Sequence, residues 1–271
     1  MPRKTPDEEF REVLTGEHAG LTRMRGTLKR IPSSPRCKLC TAPFEGPGGA
    51  VLRHFGFARF PGNPAICQAC VKSFREKGLT GAEIPVTLLF ADVRGSTGIA
   101  ERMTPTEFRG FLDRFYRIGA DTILRHEGIV DKLVGDELIG LFFGGVSGPD
   151  FAAAAIDAAI ELVERTGRPD AAPTGPIPIG VGVHTGDAYV GTTGPAGAVD
   201  DFTALGDPVN TTARLAGAAA AGEILLSVAA AQAAARWFPD AEPRTLDVRG
   251  RHQPIEGLAL RPGTANVASG S

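Results

Sequence analysis

The chain has 271 residues, enough for one sizeable folded domain and a small companion. Its 29 basic and 31 acidic side chains leave a formal charge of −2, so no global positive field points to nucleic acid as a partner. The longest uncharged apolar stretches, around 138–149 and 224–235, are too short and too rich in Gly and Ala to span a membrane. The charged first ten residues lack the apolar core of a secretion signal, which sets the expectation of a cytoplasmic protein without disulfides.

Residues 1–34 read as a helical segment. Phe10, Val13, Leu14, Leu21, Met24 and Leu28 recur at helical spacing, with breaks expected around Gly16 and Gly20 and an end at Pro32 and Pro35. Residues 35–80 form a Gly- and Pro-rich module and linker that holds all four cysteines. Cys37-Lys38-Leu39-Cys40 and Cys67-Gln68-Ala69-Cys70 are two C-x-x-C knuckles, a pattern suited to a tetrahedral thiolate site for zinc. An iron–sulfur cluster and a redox dithiol pair use the same residues and stay open. Arg53, His54 and Arg59 interleave with Phe55, Phe57 and Phe60, as in nucleic-acid modules; a solvated basic loop over a small core is the plainer reading. A short helix and linker are expected over 72–84, with breaks at Gly78 and Gly81.

From 85 to 262 the texture changes to alternating strands and helices. Strands are predicted at 86–92, 177–185, 188–192, 201–205, 223–227 and near 244–249 and 257–261. A hairpin is predicted at 129–143, and helices within 96–125 and at 150–166, 207–218 and 228–236. Residues 263–271 read as a frayed tail. The β-α-β-β-α-β order of 86–185 gives an α+β, ferredoxin-like plan. That plan brings Asp92, at the end of the first strand, beside Asp136, in the turn Gly135-Asp136 of the hairpin. Singly, Asp92 reads as a helix cap and Asp136 as a turn former. Together they suit hard divalent cations such as Mg²⁺.

Four ordered motifs resemble the class III adenylate/guanylate cyclase catalytic domain. They are Phe90-Ala91-Asp92-Val93-Arg94-Gly95-Ser96-Thr97, Lys132-Leu133-Val134-Gly135-Asp136, Gly180-Val181-Gly182-Val183-His184-Thr185-Gly186 and Gly206-Asp207-Pro208-Val209-Asn210-Thr211-Thr212-Ala213-Arg214. The resemblance implies cyclisation of a nucleoside triphosphate with release of pyrophosphate. It assigns two Mg²⁺ or Mn²⁺ ions, about 4 Å apart in such sites, to Asp92 and Asp136 with the Val93 carbonyl. Gly95, Ser96 and Thr97 open a helix whose first N–H groups suit the triphosphate; an ordinary Ser/Thr cap is the plain alternative. Asn210 and Arg214, four apart on one helix face, would orient the ribose and stabilise the transition state. A surface salt bridge is the plain alternative for Arg214.

The resemblance also makes Lys132 and Thr203 the purine readers, which favours ATP. Thr203 matches a bacterial subgroup in which Thr replaces Asp, and a shifted alignment would use Asp201 instead. Arg249 or Arg251 would hold the triphosphate. Because family sites are shared between two chains, a single chain with the full set implies a homodimer with two sites. The N-terminal module would then be regulatory. A guanylate cyclase and a catalytically silent nucleotide-binding module are the rival readings. A diguanylate cyclase is disfavoured, since its turn would read G-G-D/E-E-F rather than Val134-Gly135-Asp136-Glu137-Leu138.

Overall fold

The structure is a computed structural model, and it describes residues 5–78, 80–168, 175–193, 201–246 and 254–262. The N-terminal elements are α1 (Pro6–Thr15), α2 (Ala19–Leu28), α3 (Gly46–Arg53), β1 (Arg59–Phe60), β2 (Asn63–Cys67) and α4 (Gln68–Glu76). Then come β3 (Gly81–Val93), α5 (Ser96–Ala100), α6 (Pro105–Arg125), β4 (Ile129–Val134), β5 (Glu137–Phe142), α7 (Gly144–Ser147) and α8 (Phe151–Gly167). The remainder is β6 (Ile179–Thr193), β7 (Asp201–Leu205), α9 (Asp207–Ala218), β8 (Glu223–Ser227), α10 (Val228–Ala233), β9 (Glu242–Leu246) and β10 (Ile255–Leu260). Two compact units result: one of Met1–Pro85, Phe143–Pro149 and Asp187–Gly206, the other of Val86–Phe142, Asp150–Gly186 and Asp207–Ser271.

In the first unit α1 starts with a capping box. Thr5 accepts from the Glu8 N–H while the Glu8 carboxylate accepts from the Thr5 N–H at 2.8 Å. The helix stops at Gly16, whose φ of 87° is open to glycine. The apolar stripe therefore breaks once; Gly20, expected as a second break, lies inside α2. Glycines set how closely α1 packs. A Cβ on Gly145 would sit 2.5 Å from the Val13 carbonyl, and one on Gly144 2.5 Å from that of Thr15. Phe10 meets Phe74 of α4 edge-to-face at 4.8 Å, and Lys77 pairs with Glu9. The 36–71 stretch holds α3, β1, β2 and the start of α4, where no element was expected, and α4 begins at Gln68, four residues before the expected helix. Gly46 and Pro47 there start a helix, as Pro can at a first turn.

In the second unit the sheet order is β4-β5-β3-β6-β8-β10-β9. Its first four strands follow the ferredoxin-like order, as expected. β3 starts at Gly81, five residues before the predicted strand, and β6 runs unbroken through Gly186, where two strands were predicted. Gly186 marks a close approach instead of a break: a Cβ there would lie 2.9 Å from Pro208. One core joins α6 and α8 to the sheet through Leu89, Phe115, Phe142, Ile156, Leu162 and Val181. Each such side chain contributes roughly 1.5–3 kcal/mol by leaving water. β8 alternates: Ile224 and Leu226 join that core, while Leu225 packs with Leu215 of α9. Gly180 and Gly182 let α9 lie directly on β6, since Cβ atoms there would come within 2.6 Å of the Ala219 carbonyl and 2.3 Å of the Ala216 nitrogen. The third motif is thus a seat for the helix that carries the fourth.

Candidate active site

β3 delivers Asp92 next to its last residue, opposite Glu137 at the start of β5. The Val93 N–H donates to the Asp136 carbonyl at 3.1 Å. Between Val134 and Glu137, Gly135 and Asp136 make the predicted two-residue turn. Gly135 has φ 61° while Asp136 is not left-handed, the pattern of a II′ hairpin. The Tyr116 hydroxyl of α6 donates to the Gly135 carbonyl and pins the turn. Asp92 thus meets Asp136 at one end of the sheet, on a central strand. The helix-cap role for Asp92 is not realised, because Gly95 is the N-cap residue of α5.

The electrostatics concentrate there. Burial pushes the Asp92 carboxyl above its ordinary range; Arg94 opposes this and the Asp136 charge adds to it. Burial likewise raises Glu137, with the charges of Asp92 and Asp136 adding to the effect. Burial, then Asp136, raises the Tyr116 hydroxyl. Three half-buried carboxylates there feel one another's charge, and carboxylate oxygens are the donors that hard divalent cations take. Two neighbours of the aspartates, one acidic and one basic, were not singled out from the sequence. Glu137 is readable as the hairpin partner of Asp92, and Arg94, two residues beyond Asp92, forms an ion pair with it.

Gly95 is left-handed at φ 69° and caps α5 without a side-chain hydrogen bond. The predicted helix start is therefore present, but no Ser or Thr side chain caps it. Lys132 follows a bulge at Asp131 in β4, which its Nζ approaches at 3.7 Å. Asn210 and Arg214 both lie on the exposed face of α9, opposite buried Thr211, Thr212 and Leu215. Among the described residues Arg214 makes no ion pair, so its alternative role as a surface salt bridge is not realised. Thr203, 3 % exposed, sits in β7 opposite Gly191, and Asp201 pairs with Thr193 in the same hairpin. Arg249 and Arg251 lie outside the described residues. His184 Nδ1 and the Ser227 hydroxyl are 2.9 Å apart.

The cysteines converge as well. Cys37, Cys40, Cys67 and Cys70 are buried, and their sulfurs lie within 4.8 Å of one another. The Cys40 and Cys67 sulfurs are 3.6 Å apart, far beyond a disulfide bond. A tetrahedral ion with bonds of about 2.3 Å spaces its sulfurs by about 3.8 Å. The set therefore fits one tetrahedral metal ion. Burial opposes ionisation of Cys37, but hydrogen bonds from Cys40, Cys67 and Cys70 outweigh it and lower that thiol. Interaction with Cys37 raises Cys40 and Cys70. The Cys67 N–H also points at the Cys37 sulfur, at 3.3 Å.

Residues 82–257 match the adenylate and guanylate cyclase catalytic domain. A 141-residue stretch is 31% identical to an adenylate cyclase of Anabaena cylindrica and covers 49% of this chain and 27% of that one. A 186-residue stretch is 31% identical to an uncharacterised protein of Mycobacterium tuberculosis, covering 65% of this chain and 32% of that one. The chain thus spans about a third of the length of these curated relatives. The guanylyl cyclase Cya2 has a similar structure, with TM-score 0.62, 26% identity, and 70% of this chain and 98% of that one covered. The adenylyl cyclase CyaB from P. aeruginosa gives TM-score 0.58, 26% identity, and 66% and 95% covered. No helix among the described residues is long and apolar enough to cross a membrane.

Proposed function

The chain belongs to the family of adenylate and guanylate cyclase catalytic domains, and we propose on that footing that it converts ATP to 3′,5′-cyclic AMP and pyrophosphate. The carrying observation is the meeting of Asp92 with Asp136 and Glu137 at one end of the sheet. Asp92 and Asp136, with the Val93 carbonyl, would hold two Mg²⁺ or Mn²⁺ ions. When bound, such ions lower the pKa of the attacking ribose hydroxyl and neutralise the leaving pyrophosphate. The chain's own residues do the rest. Backbone N–H groups at Gly95, Ser96 and Thr97 would donate to phosphate oxygens. Asn210 orients the ribose, and Arg214 balances charge on the phosphoryl group in flight. Arg249 is the further candidate for the triphosphate.

Lys132 donates to a purine ring nitrogen and Thr203 accepts from the exocyclic amine, which selects adenine. The similar solved structures include a guanylyl and an adenylyl cyclase at equal identity, so guanylate cyclase is the second reading. Cyclic-nucleotide formation from ATP and from GTP, with Mn²⁺ or Mg²⁺, tests both. Product from ATP alone supports the first reading, product from GTP alone the second. No product from either supports a silent nucleotide-binding module. Arg214, exposed and without an ion pair among the described residues, fits a residue that completes the site of a second copy, in a homodimer with two sites. A cytoplasmic location accords with this reading.

The four-cysteine site is proposed to hold structural zinc, and metal analysis with an absorption spectrum tests zinc against iron. Its regulatory role has a physical route. Helix α4 is capped by Cys67 and carries Cys70, and Thr80 follows it in the chain. There the Thr192 N–H and hydroxyl donate to the Thr80 carbonyl, at 2.6 and 3.1 Å. Beside them a Cβ on Gly191 would sit 2.2 Å from that carbonyl, and Gly191 faces Thr203. Loss of the metal is then expected to raise KM for ATP more than it lowers kcat. Unchanged kinetics after verified metal removal would refute the regulatory role.

A further inference from the structure

Arg94 follows Asp92 by two positions, in the turn that leads from β3 to α5, and its side chain folds back onto that carboxylate. Its guanidinium is anchored twice. One nitrogen pairs with the Asp92 carboxylate, and another donates to the Gly217 carbonyl at 2.9 Å. Gly217 stands in the last turn of α9, where open carbonyls and the helix dipole favour a cation. The Arg94 N–H donates to the Pro178 carbonyl at 2.7 Å, which fixes the root of the side chain. The Arg94 side chain is 22 % exposed, and its Nε is buried. A planar, permanently charged fork held this way is a resident cation at the edge of the acidic cluster. It offsets the repulsion among Asp92, Asp136 and Glu137.

We propose that Arg94 is a positioning residue: it is the counter-ion of Asp92 in the metal-free protein, and a divalent cation displaces it from that carboxylate. This rests on reading Asp92 as a metal ligand. When Asp92 changes partner, the Gly217 anchor keeps Arg94 on α9, the helix that carries Asn210 and Arg214. Arg94 therefore sets the cation affinity of the site while keeping the empty site together.

Mn²⁺ binding to the full chain, followed by loss of the free-ion electron paramagnetic resonance signal, tests this. Asp92→Asn should weaken binding. Arg94→Gln, which keeps a donor for Gly217 but no charge, should tighten it roughly three- to fivefold, the upper scale of one partly exposed ion pair. Its thermal midpoint should fall without metal and return to the wild-type value in saturating Mn²⁺, a recovery that a merely structural lesion would not show. Arg94→Lys keeps the charge but loses the fork, and should tighten binding by about twofold; it carries the test if the Gln variant does not fold. Unchanged or weaker Mn²⁺ binding in the Arg94 variants, with Asp92→Asn still weakening it, overturns the proposal and leaves the metal reading standing. Mn²⁺ binding that ignores Asp92→Asn overturns both.

Discussion

The two compact units hold themselves together by different means. The sheet unit buries large apolar side chains on both faces of its strands, with Leu89, Phe115 and Phe142 on one side and Leu215 and Leu225 on the other. The first unit buries Phe10, Leu39 and Ile66, but it also buries four cysteine sulfurs that no disulfide joins. Apolar burial is distributed, so no single side chain decides the fold. A thiolate cluster is local, and one ion can decide whether it is a core or a source of repulsion. The lesson is that the sheet unit can tolerate polar strain at its acidic end, whereas the cysteine module depends on what fills it.

Metal removal gives the largest expected effect on that contrast. A structural zinc contributes on the order of 10 kcal/mol to small zinc-folded peptides. Chelation, or Cys67→Ser, should expose the amides around Leu39 and Ile66 to hydrogen exchange and leave those of α6 and α8 protected. Equal exchange in both units would erase the distinction. Phe115→Ala should do the reverse, destabilising the sheet unit by about 3–5 kcal/mol with bound metal unchanged. Metal analysis alongside chemical denaturation reads both.

Next comes the acidic end of the sheet. Asp92→Ala or Asp136→Ala should lower cyclase turnover by about 10³-fold or more, roughly 4 kcal/mol of transition-state stabilisation, with the thermal midpoint of the sheet unit preserved. Turnover that survives either change would remove these carboxylates from the reaction.

Much of this was readable from residue order. The buried run ending at Asp92, the Gly135-Asp136 turn and the four thiols all stand where local chemistry puts them. What was missed depends on tertiary contact. Gly186 looked like a strand break because only packing against Pro208 reveals its use. Gly144 and Gly145 stood out only as part of an apolar, Gly-rich stretch, and their contact with α1 crosses more than a hundred positions. Arg94 sat inside the first motif, but its hold on Gly217 follows from α9 lying on β6, a packing choice no local pattern states.

A smaller effect separates the purine readers from the machinery around them. Lys132→Glu with Thr203→Cys should move the ATP-to-GTP preference by roughly tenfold or more toward GTP, about one hydrogen-bond pair in free energy. A preference that does not move would exclude these two positions as readers.

The smallest expected effect lies in the first unit. The hydrogen bond from Lys77 holds the Glu9 carboxyl below its ordinary range, with burial opposing. A depressed folded pKa gives stability that is present above the unfolded value and lost as pH falls through the folded one. Glu9→Gln should therefore destabilise the unit by less than about 1 kcal/mol at pH 7, and the gap between wild type and variant should shrink as pH falls through the lowered carboxylate pKa. A difference that persists in acid would mean the side chain acts by packing.

The central claim is that the aspartates of one copy work with Asn210 and Arg214 of another. Asp92→Ala and Arg214→Ala chains, each inactive alone, should regain activity on mixing, up to about a quarter of the wild-type rate if pairing is random and one of two sites is intact in each mixed dimer. Verified mixed dimers that stay as inactive as their parents would contradict it.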